Sequence, residues 1–243
     1  MERAVKAERD RSPNYRQKIL ESAEQILRED GPNGLTMRKV ASGAGLTMPT
    51  IYALIGDRAA VIAELTARWN RRFNLLLDAE EAEGLDPLGV VELGLRELQV
   101  DSDLYRSLMA YLTTMEELRE SLEAGASFYQ TWTNALARGV ASLERLHALS
   151  SGVDATALLS AIRDDAAGLV SFWALGGIPD DRISPTIRFS MASLLSSSTQ
   201  GAARKRYQSI AKDAHKELTK LAPSSIGLPF TQGRNGRKLR ERG

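Results

Sequence analysis

The chain has 243 residues, of which 43% are apolar, 32 are Lys or Arg, 31 are Asp or Glu and none is cysteine; it can bury a sizeable core, and disulfide, thiolate and zinc-finger chemistry are excluded. With His147 and His215 as its two histidines, no structural metal site is expected, and no cofactor is indicated. No apolar run is long enough to cross a bilayer and the N-terminal MERAVKAERDRSP lacks the apolar centre of a signal peptide, so the expectation is a cytoplasmic protein with no membrane partner.

The charge is unevenly spread. Residues 1–58 hold 10 basic and 8 acidic side chains, residues 59–203 hold 11 and 20, and residues 204–243 hold 11 and 3. The acidic middle would repel a polyanion, so any DNA contact is expected from the ends of the chain; the alternative is that these charges are solvated helix faces.

In chain order the sequence reads as all-α. Residues 1–12 read as a mobile arm, and Ser12-Pro13 as a helix start. A first helix carries the stripe Ile19, Ala23, Ile26 and Leu27 to about Asp30, where GPNG (31–34) stops it. Two short helices follow. Thr36 can cap the first, with Met37, Val40 and Ala41 at helical spacing and Gly43, Ala44 and Gly45 ending it. Leu46 plugs the corner, Thr47 can cap the second, and Pro49 is tolerated in its first turn ahead of Thr50, Ile51 and Tyr52. This is a helix-turn-helix, and residues 13–57 form the expected three-helix DNA-binding domain.

Residues 58–221 read as a larger helical domain for ligand binding and dimerisation. A connector from Arg58 to about Glu81 places Val61, Leu65, Trp69, Phe73 and Leu76 on one face. Amphipathic segments follow through Val90 to Leu98 and Leu104 to Leu112, then a helix over 127–149 with Phe128, Trp132, Leu136, Val140 and Leu143. The most apolar helix, from Ala155 to Gly177, lacks a charged face in its second half and needs burial on more than one side. With a helix starting at Pro185 it suits a four-helix contact between two copies through Ala161, Gly168, Phe172, Ile187, Met191, Leu194 and Leu195; packing within one chain is the alternative. A last helix spans about Ala203 to Leu221, and residues 222–243 read as a basic, disordered tail.

Three sets of residues could carry function. Thr36, Arg38, Lys39, Thr47, Met48, Pro49, Thr50, Tyr52 and Arg58 are expected at DNA; hydroxyls and cations suit phosphates, while the Met48 and Thr50 methyls suit a thymine methyl. Trp69, Phe73, Leu108, Met109, Leu112, Phe128, Trp132, Ile162, Asp165 and Leu169 could line a pocket, although such stripes are often plain core. Asp165 is either a ligand contact or half of an ion pair, with Arg163 or with another helix. No nucleophile elbow, phosphate-cradling glycine loop or histidine dyad supports an enzyme.

GLTMRKVASGAGLTMPTIY and the Asp57-Arg58 helix start resemble the TetR family, the tetracycline-repressor-like bacterial transcription regulators, over residues 14–65. Thr36, Ala41, Gly45, Thr50, Tyr52 and a basic residue at Arg58 all fall where that pattern has them. Ala53, Leu54 and Ile55 depart from it, as do arginine for the usual lysine at 58 and Ala59 for a common glutamate. The resemblance implies a homodimer on double-stranded DNA with a palindromic operator, most often a repressor, released by a small-molecule effector. A DNA-binding protein controlled by a protein partner is the alternative, and an all-helical enzyme the third.

Overall fold

A computed structural model describes the backbone of residues 2–80, 85–114 and 118–221, and the side chains of 14–80, 85–112 and 129–221. Ten helices make up this part: α1 (Glu2–Gly34), α2 (Met37–Ala44), α3 (Met48–Leu54), α4 (Arg58–Glu80), α5 (Pro87–Gln99), α6 (Ser102–Thr114), α7 (Leu118–Arg145), α8 (Ala155–Ala174), α9 (Asp180–Ser198) and α10 (Gly201–Lys220). Among the described residues there is no strand, only an isolated bridge from Leu149 to Thr199 where two loops meet.

Local sequence explains most helix ends. Gly31, at φ 68°, breaks α1 where GPNG was expected to stop it. Asp86 caps α5 by accepting from Gly89 N at 2.8 Å, and Asp154 caps α8 by accepting from Thr156 N at 2.7 Å. Three starts differ from expectation. α1 extends back to Glu2, because the segment before Ser12 is rich in the strong helix formers Ala, Glu, Lys and Arg. For the same reason LRESLEAGA carries α7 back to Leu118, nine residues before the expected start at 127. α9 begins at Asp180 rather than Pro185: Asp180 and Asp181 favour its positive end, and Arg182 and Ile183 N–H groups bond the Pro179 carbonyl at 3.0 and 3.1 Å. The expected tail, 222–243, lies outside the described residues.

One core runs through the whole described chain. Ile19, Ala23 and Leu27 of α1 close on Val40, Ala41 and Ile51, while Trp69, Phe73 and Leu77 of α4 pack with α5 and α7. Ile187, Met191 and Leu195 are fully buried within the chain, on the α9 face turned inward, which corrects the expectation that they form a contact between copies. The apolar face left outside belongs mainly to α8: Ala161 and Gly168 are exposed there, and Phe172 is 37% and Leu175 42% exposed. Leu194 is half-buried beside it.

Candidate nucleic-acid interface and effector cleft

Thr36 caps α2, accepting from Lys39 N at 3.3 Å. α2 ends in a left-handed Gly45 (φ 66°), whose N–H bonds Ser42 O while Leu46 N bonds Ala41 O at 3.0 Å, a Schellman arrangement that turns the chain sharply. Gly43 has a different task from ending the helix. A Cβ there would fall 2.3 Å from Ser22 Oγ, so glycine lets α2 lie against α1, and Ser22 Oγ donates to Val40 O at 3.2 Å. Thr47 caps α3 and its hydroxyl lies 2.8 Å from that of Thr50. Behind α3, Arg16 Nη1 donates to Leu54 O at 2.7 Å and Nη2 pairs with Glu64, tying the last turn to α4. Ile51 alone of α3 is fully buried.

The exposed surface of this unit carries Thr36, Arg38, Lys39, Thr47, Pro49 and Tyr52, the last 51% exposed; Met48 and Thr50 are half-buried. Lys39 Nζ is 2.9 Å from Asp30 Oδ2 in an exposed pair. Arg58 lies apart from these residues and is half-buried. Its Nη2 donates to Pro32 O at 2.6 Å and its Cζ lies 4.8 Å over the Tyr111 ring, so it turns into the protein and away from the exposed α2–α3 surface. Sequence reasoning missed this because both partners are distant along the chain.

A cleft opens between α6, α7 and α8, with about 530 Å³ of empty space, part of it open to solvent and little of it wide enough for a water molecule. Met109, Leu112 and Trp132 line it, joined by Tyr129, Leu136, Ala166, Ala167, Val170, Ser171 and the side chain of Arg163. The remaining candidates sit elsewhere. Trp69 and Phe73 stack behind Trp132, with centroids 4.8 Å apart and Phe73–Trp132 at 5.2 Å; they fill the space they were expected to border. Leu108 and Ile162 are core, Leu169 is half-buried outside the cleft lining, and the side chain of Phe128 lies outside the described residues. Asp165 is no cleft group either: Ser190 Oγ of α9 donates to it at 2.8 Å, while Arg163 pairs with Asp164, also at 2.8 Å. That hydrogen bond holds the exposed Asp164 carboxyl below the ordinary carboxylate range. Ala166, Ala167 and Ser171 were legible only as small residues on an apolar helix.

A second cleft, with about 790 Å³ of empty space, lies where Leu77, Leu85 and Val90 meet Ala135, Arg138, Ser142 and Arg145 of α7. Among the described residues, no helix is long and apolar enough to cross a membrane.

An exposed helix-turn-helix joined through one continuous core to a larger helical body with a cleft is an architecture suited to a DNA-binding regulator. Residues 19–65 match the model of the bacterial regulatory proteins of the tetR family. Comparison with curated proteins yields no match. Among solved structures, the fold is similar to a TetR-family transcriptional regulator from Marinobacter aquaeolei, with TM-score 0.60 at 18% identity, covering 82% of this chain and 98% of that one. It is similar also to NalD, the secondary repressor of the MexAB-OprM multidrug efflux pump in Pseudomonas aeruginosa (TM-score 0.56, 21% identity, 74% of this chain and 96% of NalD). A third is the fatty acid degradation regulator FadR from Bacillus halodurans (TM-score 0.58, 18% identity, 75% and 95%). Residues 19–65 thus carry the tetR-family regulatory domain, and the fold of the described chain is similar to that of solved TetR-family regulators.

Proposed function

We propose that the chain is a ligand-responsive repressor that binds a palindromic operator as a homodimer and is released by an apolar small molecule entering the cleft between α6, α7 and α8. The domains behind this reading are 13–57 for DNA and 58–221 for effector and dimer contact, with the DNA-facing groups those exposed on α2 and α3. The observation that carries it is the narrowness of the cleft: a ligand can enter only by parting helices, so it binds a rearranged state more tightly than the closed one, which is the condition for shifting an equilibrium. Its walls suit an apolar or aromatic molecule seated against Trp132, with Ser171 as the polar contact. The repressor role follows the name of NalD, and a dimer would seat the exposed Ala161, Gly168 and Phe172 of α8, with Leu175 just beyond it, on their counterparts.

The test is a panel of apolar aromatic and alkyl compounds against the protein bound to DNA from upstream of its own coding region. At least one should quench tryptophan fluorescence and release the DNA, and Ala166→Trp, which fills the cleft, should abolish both effects while leaving DNA affinity in place. One observation favours a second reading, in which a protein partner sets DNA affinity: the Trp69, Phe73 and Trp132 rings occupy the core that a large cavity would need. Failure of every compound, with DNA binding intact, selects that reading.

A further inference from the structure

Arg58 stands at the first residue of α4, held between two parts of the molecule. Nη2 donates to the carbonyl of Pro32, in the turn from α1 to α2, and the guanidinium carbon lies over the ring of Tyr111 in α6. Among the described residues no carboxylate pairs with this cation, and its buried Nε has no hydrogen-bond partner. A half-buried cation without a counter-ion is stabilised by what surrounds it, a carbonyl dipole and the negative face of an aromatic ring. The same side of α6 is fastened to α1 twice more. Ser107 Oγ donates to Leu27 O at 2.7 Å, and Asp101, which caps α6, pairs with Arg28 at 2.7 Å.

α6 also carries Met109 and Leu112 into the effector cleft, so Tyr111 sits between two cleft residues and the Arg58 clamp. We propose that Arg58 is a positioning residue that fixes the helix-turn-helix on α6, a cation clamped between the Pro32 carbonyl and the Tyr111 ring, and not a phosphate contact. Displacement of α6 by a molecule in the cleft then moves the ring off the guanidinium and releases the turn that leads into α2. The inference rests on the DNA-binding reading above for its function, but the clamp itself can be measured without DNA.

The experiment uses the full chain as wild type, R58A, R58K, Y111L, Y111F and the double variant R58A/Y111L, each checked by circular dichroism. Binding to a duplex selected from a randomised pool is titrated over a range of salt, and amide hydrogen exchange is followed without DNA. R58A and Y111L should each weaken binding by roughly threefold to thirtyfold with the salt slope unchanged, and the double variant should be no weaker than the poorer single. R58K should follow R58A, because an ammonium has no planar face, and Y111F, which keeps the ring, should match wild type. Exchange in α2 and α3 should quicken in R58A and R58K but not in Y111F, a comparison that stands even where Y111L fails to fold. A salt slope shallower by about one in R58A, with R58K and Y111L binding like wild type, would show a phosphate contact and overturn the clamp. Unchanged exchange in R58A would overturn it as well. Wild type that selects no duplex would reject the DNA reading, and the exchange data would still decide the clamp.

Discussion

Asp86 shows how much one carboxylate can organise. It caps α5, pairs with Arg206 Nη1 and accepts from Tyr207 OH at 2.7 Å, which ties α10 to the start of α5. Burial first, and then the neighbouring carboxylate, push the Tyr207 phenol well above its ordinary value of 10.0. The sign follows directly. A raised acid keeps its proton in the folded state, so its contribution to stability is complete below the unfolded value and declines as pH rises past about 10, by about 1.4 kcal/mol per pH unit. Urea unfolding of wild type and Tyr207→Phe between pH 8 and 11 should show that added slope in wild type only. On the proposed DNA face the exposed Arg38 and Tyr52 can be separated by salt: Arg38→Ala should reduce the salt slope by about 0.9, while Tyr52→Phe should weaken binding equally on all sequences. Equal slopes for Arg38→Ala and wild type would remove Arg38 from the phosphate contacts. Caps such as Thr36 and Thr47 were legible because donor and acceptor lie within three residues. Arg58 and Asp165 were not, since Pro32, Tyr111 and Ser190 are brought to them by the tertiary fold.

Helix interiors were legible for the same reason, since the apolar spacing in Ile19–Leu27 or Val61–Phe73 is local and matches the buried faces. Which side of a helix faces inward was not always so. α9 is apolar on more than one side, and only the packing of α5, α8 and α10 around it decides that Ile187, Met191 and Leu195 point into the chain. Aromatic stripes were ambiguous in the same way: Trp69 and Phe73 became filling and Trp132 the wall of the cleft. Gly94 fixes that wall. A Cβ there would lie 2.3 Å from Cη2 of Trp132, so the α5 backbone presses on the indole. Gly94→Ala should force the ring towards the cleft and cost about 1–3 kcal/mol in chemical denaturation, with a shifted tryptophan emission. Unchanged emission together with unchanged stability would mean that the ring has room that the packing denies it.

At the scale of the whole molecule, a slightly basic N-terminal segment and an acidic body were visible in the charge distribution, and the DNA surface proposed on α2 and α3 agrees with that division. The tetR-family match over residues 19–65 and the similar folds extend it to a regulator's architecture. What the charge pattern could not disclose is how the two parts are joined, because α1, α4 and α6 meet only after folding. The most direct test of a DNA-binding homodimer is selection of duplexes from a randomised pool, followed by the mass of the complex formed with the winning duplex. The expected result is a palindromic site bound by an even number of chains, with binding lost in Tyr52→Ala and dimer lost in Phe172→Glu. A pool from which no sequence is enriched, or a site without symmetry bound by a single chain, would contradict it.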